Sequence, residues 1–347
     1  MPSKTTWISW TVKLAKAMVL IGIIAYLCWT TEPEHLEKLH ATKNWGILSL
    51  AFAAAFSAVS LTFVRWYLLV RALELKFRLR DAFRLGFLGY LLNFVAPSSV
   101  GGDFFKAIFI AREQQGRRAA AVATVVVDRI IGLYALIVVT SIAILSIPLP
   151  VDRPAITAIC NMTLAGAAIG GIGISTLLFA PALTNFFAKM FAPIPKVGKV
   201  IQDVVDSISM YRSRPGVLSV IGLMSLLTHT LFAVSMFLIA FALYPADPIP
   251  TFAEHLIIVP LSMVAGAIPL TPGGLGTFEV AMTELYRDVP VGESVVAGVA
   301  VAIVFRLITI AVAAVGGLYY LASRSELREV LKQARSGSEQ KINASAS

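Results

Sequence analysis

Arg129 and Arg306 stand mid-way along long apolar runs, residues 119–147 and 295–321. An arginine at the bilayer centre costs about 2.5–3.5 kcal/mol on insertion scales, so each needs an anionic partner inside the protein. Two kinds of partner fit. A carboxylate on another helix would make a structural ion pair, whereas a ligand phosphate would use the planar donor fork of the guanidinium as a binding site. The carboxylates at hand are Asp128, Asp103 and Glu279. Asp128 adjoins Arg129 but projects about 100° away from it around a helix, which leaves it to pair elsewhere. Asp103 and Lys106 follow Gly101-Gly102 at the start of a short apolar segment, where an aspartate serves either as a cap or as a site residue. Glu279, which follows Gly273-Gly274, is less well placed to cap and is a candidate cation or proton site.

The substrate-binding candidates are therefore Arg129, Arg306, Lys106, Asp103, Asp128 and Glu279. Two other polar residues have plainer readings: Arg65 lies near a helix end and is expected to snorkel to the interface, and His229, alone in an apolar span, is expected to be a hydrogen-bonded core residue. No His-Glu-x-x-His, no phosphate-binding Gly-rich loop and no Gly-x-Ser-x-Gly elbow occurs. No catalytic residue, metal or cofactor is assigned, and any energy input would come from an ion gradient, the membrane potential or the lipid gradient. Cys28 and Cys160 lie in apolar runs without metal-ligand spacing.

The elements that must position these groups are organised around two interruptions. Pro97-Ser98-Ser99-Val100-Gly101-Gly102 and Pro269-Leu270-Thr271-Pro272-Gly273-Gly274 share the pattern Pro-x-(Ser/Thr)-x-Gly-Gly, and each breaks an apolar segment. The first segment, residues 83–96, is shorter than the ~20 residues a helical span needs. Backbone broken by proline and glycine survives at membrane depth only when it is buried in protein or lines a wet cavity. After each break, a further run carries its arginine. The two stretches, about residues 82–147 and 251–321, thus read as a repeated unit: a broken helical hairpin followed by a span with a buried arginine. An odd number of crossings between them gives opposite orientations, the inverted repeat of transporters with mid-membrane sites.

Composition agrees with this class. Of 347 residues, 57% are hydrophobic and 14% charged, which with a mean hydropathy of +0.80 describes a multi-pass membrane protein. The net charge of +9 comes from Lys and Arg clustered between apolar runs. That pattern indicates positive-inside topology and anionic lipid, not nucleic acid. The fold expected is an all-α membrane protein with about six full spans, including one near residues 17–29, plus two oppositely oriented re-entrant helical hairpins. Both termini are expected in the cytoplasm. Residues 1–321 form one transmembrane domain, and 322–347 a basic, disordered cytoplasmic tail. An amphipathic helix near residues 196–212 either lies on the inner membrane surface or packs on the protein's own cytoplasmic face.

Taken together, Asn93-x-x-x-Pro97-x-x-x-Gly101-Gly102-Asp103-x-x-Lys106, Asp128-Arg129-x-x-Gly132 and Pro269-x-Thr271-Pro272-Gly273-Gly274-x-Gly276-x-x-Glu279 resemble the lysylphosphatidylglycerol synthase transmembrane family, also called flippase-like or UPF0104 proteins. The resemblance covers about residues 45–321. It implies movement between leaflets of anionic or polyprenyl-linked lipids, in the cytoplasmic membrane of a bacterium or archaeon. A second copy of the chain or a lipid-synthesising enzyme would be the protein partners in keeping with it. The bifunctional members carry a soluble aminoacyl-transfer domain after the membrane part; here a short basic tail follows, and lipid aminoacylation is not expected. Two other functions stay open: an intramembrane lipid-modifying enzyme with Asp103 or Glu279 as general base, and a non-catalytic protein that presents lipid to an enzyme.

Overall fold

Long runs of Ala, Val, Leu and Ile without charge leave the backbone one way to satisfy its polar groups in hydrocarbon, the helix. The computed structural model describes residues 44–95, 101–114, 116–148, 153–191, 208–267, 276–292 and 294–322, and it is all-helical across its elements. In chain order they are α1 (Trp45–Ala72), α2 (Leu79–Val95), α3 (Gly101–Glu113), α4 (Arg118–Ser146), α5 (Pro154–Phe179), α6 (Pro181–Phe191), α7 (Pro215–Leu243), α8 (Phe252–Ala267), α9 (Thr277–Asp288) and α10 (Gly298–Ala322). Among the described residues, α1, α4, α5, α7 and α10 are long and apolar enough to cross a membrane. The expected span near residues 17–29, the tail beyond residue 322 and the break residues Pro97, Pro269, Pro272, Gly273 and Gly274 lie outside the described residues.

The core is the pairing of α1 with α7, the most extensive helix contact among the described residues. Ala51, Ala55 and Ala58 fall on one face of α1 and are fully buried beside Ala233, Met236 and Ala240 of α7. Small residues allow backbones to approach closely where lipid offers no hydrophobic drive between helices. Ser235 exploits this by donating to the Ala51 carbonyl at 2.8 Å.

Around this pair sit two sets of helices, α2–α3–α4 and α8–α9–α10. In each, the two short helices pack on one another and the second packs on the following span. The sets also exchange contacts: α4 packs against α8, and α10 packs against α2. At 17, 13, 16 and 12 residues, the short helices measure roughly 18–26 Å, less than the ~30 Å hydrocarbon core. The outermost span is α5, packed on α4 and α6, with Ile159, Met162, Ile169 and Ile172 exposed on its surface.

One expectation about these elements changes. Gly101 and Gly102 belong to the first turn of α3, not to the break. The reason is packing: a Cβ on Gly102 would collide with the Gly89 carbonyl of α2, so the glycine permits a close crossing of the two short helices. Of the expected amphipathic helix, residues 208–212 are helical and 196–207 lie outside the described residues. Tyr211, 3% exposed, donates to the Leu69 carbonyl at 3.2 Å, so this end of the segment packs on the protein itself.

Candidate functional site

The third residue of α3 is Asp103 and the third residue of α9 is Glu279. Both are buried, and each accepts hydrogen bonds from the arginine of the span that follows. Asp103 pairs closely with Arg129 Nε. Glu279 Oε1 accepts from Arg306 Nε at 3.0 Å and Nη2 at 2.7 Å. The sequence separations are 26 and 27 residues, so the repeat inferred from proline, glycine and arginine extends to a matched ion pair.

The pairs differ in how they are held. Lys106, one turn along α3 from Asp103, places its ammonium 3.7 Å from the same carboxylate and 5.8 and 5.5 Å from the ring centres of Phe63 and Trp66. Desolvated cation–π contacts of this kind contribute up to about 2 kcal/mol. Among the described residues Glu279 has no such second cation; its Oε2 accepts instead from the Gly276 N–H at 2.7 Å, and Arg306 lies 5.3 Å over the Phe278 ring. Exposure also differs. The Arg129 side chain is 49% exposed and that of Arg306 19%.

A third buried pair joins α1 to α4. Arg65 Nε donates to Asp128 Oδ1 at 2.8 Å, Nη2 to the Asp128 carbonyl at 3.3 Å and Nη1 to Ser225 Oγ of α7 at 3.1 Å. Gly132 makes room for this guanidinium, since a Cβ there would lie 3.2 Å from Nη2. Its carbonyl accepts from His229 Nε2 at 2.9 Å, which makes His229 the hydrogen-bonded core residue expected.

These groups converge on one cavity of about 320 Å³. Arg65, Asp103, Lys106, Asp128, Arg129 and Arg306 all line it, and Glu279 lies behind Arg306. Arg129 is eleven residues into α4, about 16 Å from its start, close to half the hydrocarbon thickness. Val126, Ile130 and Leu133, its neighbours on the same face of α4, are each about half exposed. The guanidinium thus sits within a surface stripe that is otherwise apolar. Among the described residues, only its Nε has a hydrogen-bond partner, and that partner is Asp103. No group of His, Cys, Asp and Glu suited to a metal ion occurs among the described residues.

Two sequence expectations are overturned here. Arg65 does not snorkel: it is 5% exposed because Asp128 and Ser225 solvate it in the interior. Glu279 does serve as a cap, because α9 starts at Thr277 and puts the carboxylate within reach of the Gly276 N–H. Two supporting residues had no role assigned from sequence. Asn93, in the family pattern, accepts from the Gly102 N–H at 2.8 Å and so secures the start of α3. Tyr90, on the same helix, lines the cavity. A polar residue one turn before a Pro-Gly break was the available signal for Asn93.

Comparison with known proteins adds a lineage. The family model described as the lysylphosphatidylglycerol synthase TM region matches residues 13–317. The chain is similar to a UPF0104 membrane protein of Pyrococcus horikoshii, 23% identical over 89% of this chain and 97% of the relative. It is also similar to UPF0104 membrane proteins of Methanothermobacter thermautotrophicus, 24% identical over 84% and 90%, and of Methanocaldococcus jannaschii, 21% identical over 91% and 94%. No solved structure matches the chain.

Proposed function

The chain belongs to the lysylphosphatidylglycerol synthase transmembrane-region family, and on that premise we propose that it moves a phosphate-bearing lipid between membrane leaflets. The observation that carries this reading is Arg129: half-exposed at mid-helix, lining the cavity where the charged side chains converge and flanked by exposed apolar side chains. A charge so placed needs an anion that arrives together with hydrocarbon. A phospholipid supplies both. Its phosphate meets the open side of the guanidinium while its chains remain in the bilayer along Val126, Ile130 and Leu133.

The two helix sets support a route across. The reciprocal packing of α4 on α8 and α10 on α2 is what opposed repeats would produce, with the first hairpin entered from the cytoplasm and the second from outside. The head group would be received at the Arg129 end and released past the Arg306 end as the sets rock about the α1–α7 core. The clustering of Lys and Arg in alternate loops supports a topology with both termini in the cytoplasm.

The enzymatic alternative loses support from the same geometry. Asp103 and Glu279, the candidate bases, have both carboxylate oxygens engaged, Asp103 by Arg129 and Lys106 and Glu279 by Arg306 and the Gly276 N–H. Purified protein in vesicles of defined composition separates the cases. Inter-leaflet movement of a fluorescent phospholipid, with the lipid's mass unchanged in a mass spectrum, is the expected result; a change of mass without movement would refute translocation in favour of chemistry.

A further inference from the structure

The cavity's charges do not cancel. Arg65 is matched by Asp128, and Arg306 by Glu279. Asp103 alone faces two cations, Lys106 and Arg129. Four cationic side chains thus stand against three carboxylates, an excess of one positive charge among the described residues. Residues 96–100 and 268–275, in the two breaks, contain no charged side chain. The remaining polar lining groups include Tyr90, Asn93 and His229.

The excess also has a place. Lys106 is held between two aromatic rings and the Asp103 carboxylate, with its side chain 13% exposed, whereas Arg129 is open. The net charge therefore falls at the α3–α4 side of the cavity, beside the apolar stripe of α4, and the α9–α10 side is balanced by the Arg306–Glu279 pair, whose two N–H groups share Oε1. In surroundings that screen weakly, one uncompensated charge discriminates ligands by their own net charge. A dianion would leave one negative charge unmatched, and a zwitterion would bring an ammonium toward two cations. A monoanion closes the balance.

We propose that the cavity selects by charge number and takes a lipid phosphodiester with one net negative charge and an uncharged remainder of the head group, bound between Arg129 and Lys106. This rests on the translocation reading above and narrows its substrate class. It also assigns Lys106 a defined role: it sets the charge that the ligand must match. A methionine at 106 would keep length and apolar contact with Phe63 and Trp66 while leaving Asp103 and Arg129 balanced.

The test uses three acyl-labelled probes in otherwise identical vesicles at pH 8: phosphatidylglycerol as the monoanionic phosphodiester, phosphatidylcholine as the zwitterion, and phosphatidic acid, whose phosphomonoester is then close to dianionic. Wild-type protein is expected to move phosphatidylglycerol roughly tenfold faster than either of the others. Lys106→Met is expected to erase that advantage over phosphatidylcholine. Equal rates for all three probes with wild-type protein would overturn the charge-number inference while leaving translocation standing, as would an unchanged order in folded Lys106→Met. Failure of the wild-type protein to move any probe would instead strike the translocation reading itself. The wild-type series needs no variant to fold.

Discussion

Arg65 and Asp128 are each other's solvation. Both are buried between α1, α4 and α7, where a charge without a partner loses about 3–5 kcal/mol of stability. Arg65→Leu and Asp128→Leu should each depress the yield of monodisperse protein after detergent extraction. Combining them should recover much of that yield, because two apolar groups of similar shape replace a buried pair at little net cost. A double variant no better than the singles would show that the pair is not what holds this region. The sequence displayed both charges and the need of each for a partner. It did not join them, because a pairing 63 residues apart is set by how α1 and α4 cross, which periodicity does not encode. Glu279 illustrates a smaller version of the same gap. Counted from the Gly-Gly step it lay too deep to cap, and only the true start of α9 at Thr277 brings it to the Gly276 N–H.

The short helices depend on contacts that only glycine permits. Gly89 and Gly102 let α2 and α3 meet backbone to backbone, and Gly298 does the same for α10 against the Met282 carbonyl of α9. Gly102→Val should force the two helices apart, at a cost of about 1–3 kcal/mol for an overpacked site, and draw Asp103 away from Arg129. Gly166→Ala in α5 is the matched control: nothing lies within 4 Å of its would-be Cβ, so thermal stability in detergent should be unchanged or slightly raised. Equal loss in both variants would mean that the crossing does not explain Gly102. Helix positions were legible where apolar runs are long, since the runs 119–147 and 295–321 place α4 and α10 to within a few residues. The start of α2 was not: Leu79, Arg80 and Asp81 open the helix ahead of the apolar run, and polar residues at a membrane helix's wet end carry no hydrophobic signal. Crossing contacts between glycines are invisible for a further reason, because an absent side chain leaves no pattern.

The two helix sets contact one another reciprocally and each carries a carboxylate–arginine pair, and we propose that they are one unit used twice around the α1–α7 core. If the units oppose one another across the membrane, positions 117 and 247, in loops on either side of an odd number of spans, should face opposite compartments. Single cysteines placed there in a variant lacking Cys28 and Cys160 should differ in labelling by an impermeant maleimide applied from outside: position 247 labels and position 117 does not. Labelling of both would refute the opposed arrangement. The Pro-Gly breaks and mid-span arginines were legible in the sequence, whereas the shared cavity and its charge balance were not, because they arise where helices far apart in sequence converge.

What the whole account rests on is a phosphate meeting the fork of Arg129. Arg129→Lys keeps the charge beside Asp103 but removes the planar pair of donors, so it separates a binding role from a structural one. The measurement is the rate at which acyl-labelled phosphatidylglycerol crosses vesicles containing protein purified in normal, monodisperse yield. The expected result is a fall of about tenfold or more with Arg129→Lys, the scale of a lost charged hydrogen bond, and a larger fall with Arg129→Ala. Wild-type transport by well-folded Arg129→Ala protein would contradict the account and remove Arg129 from the path of the lipid.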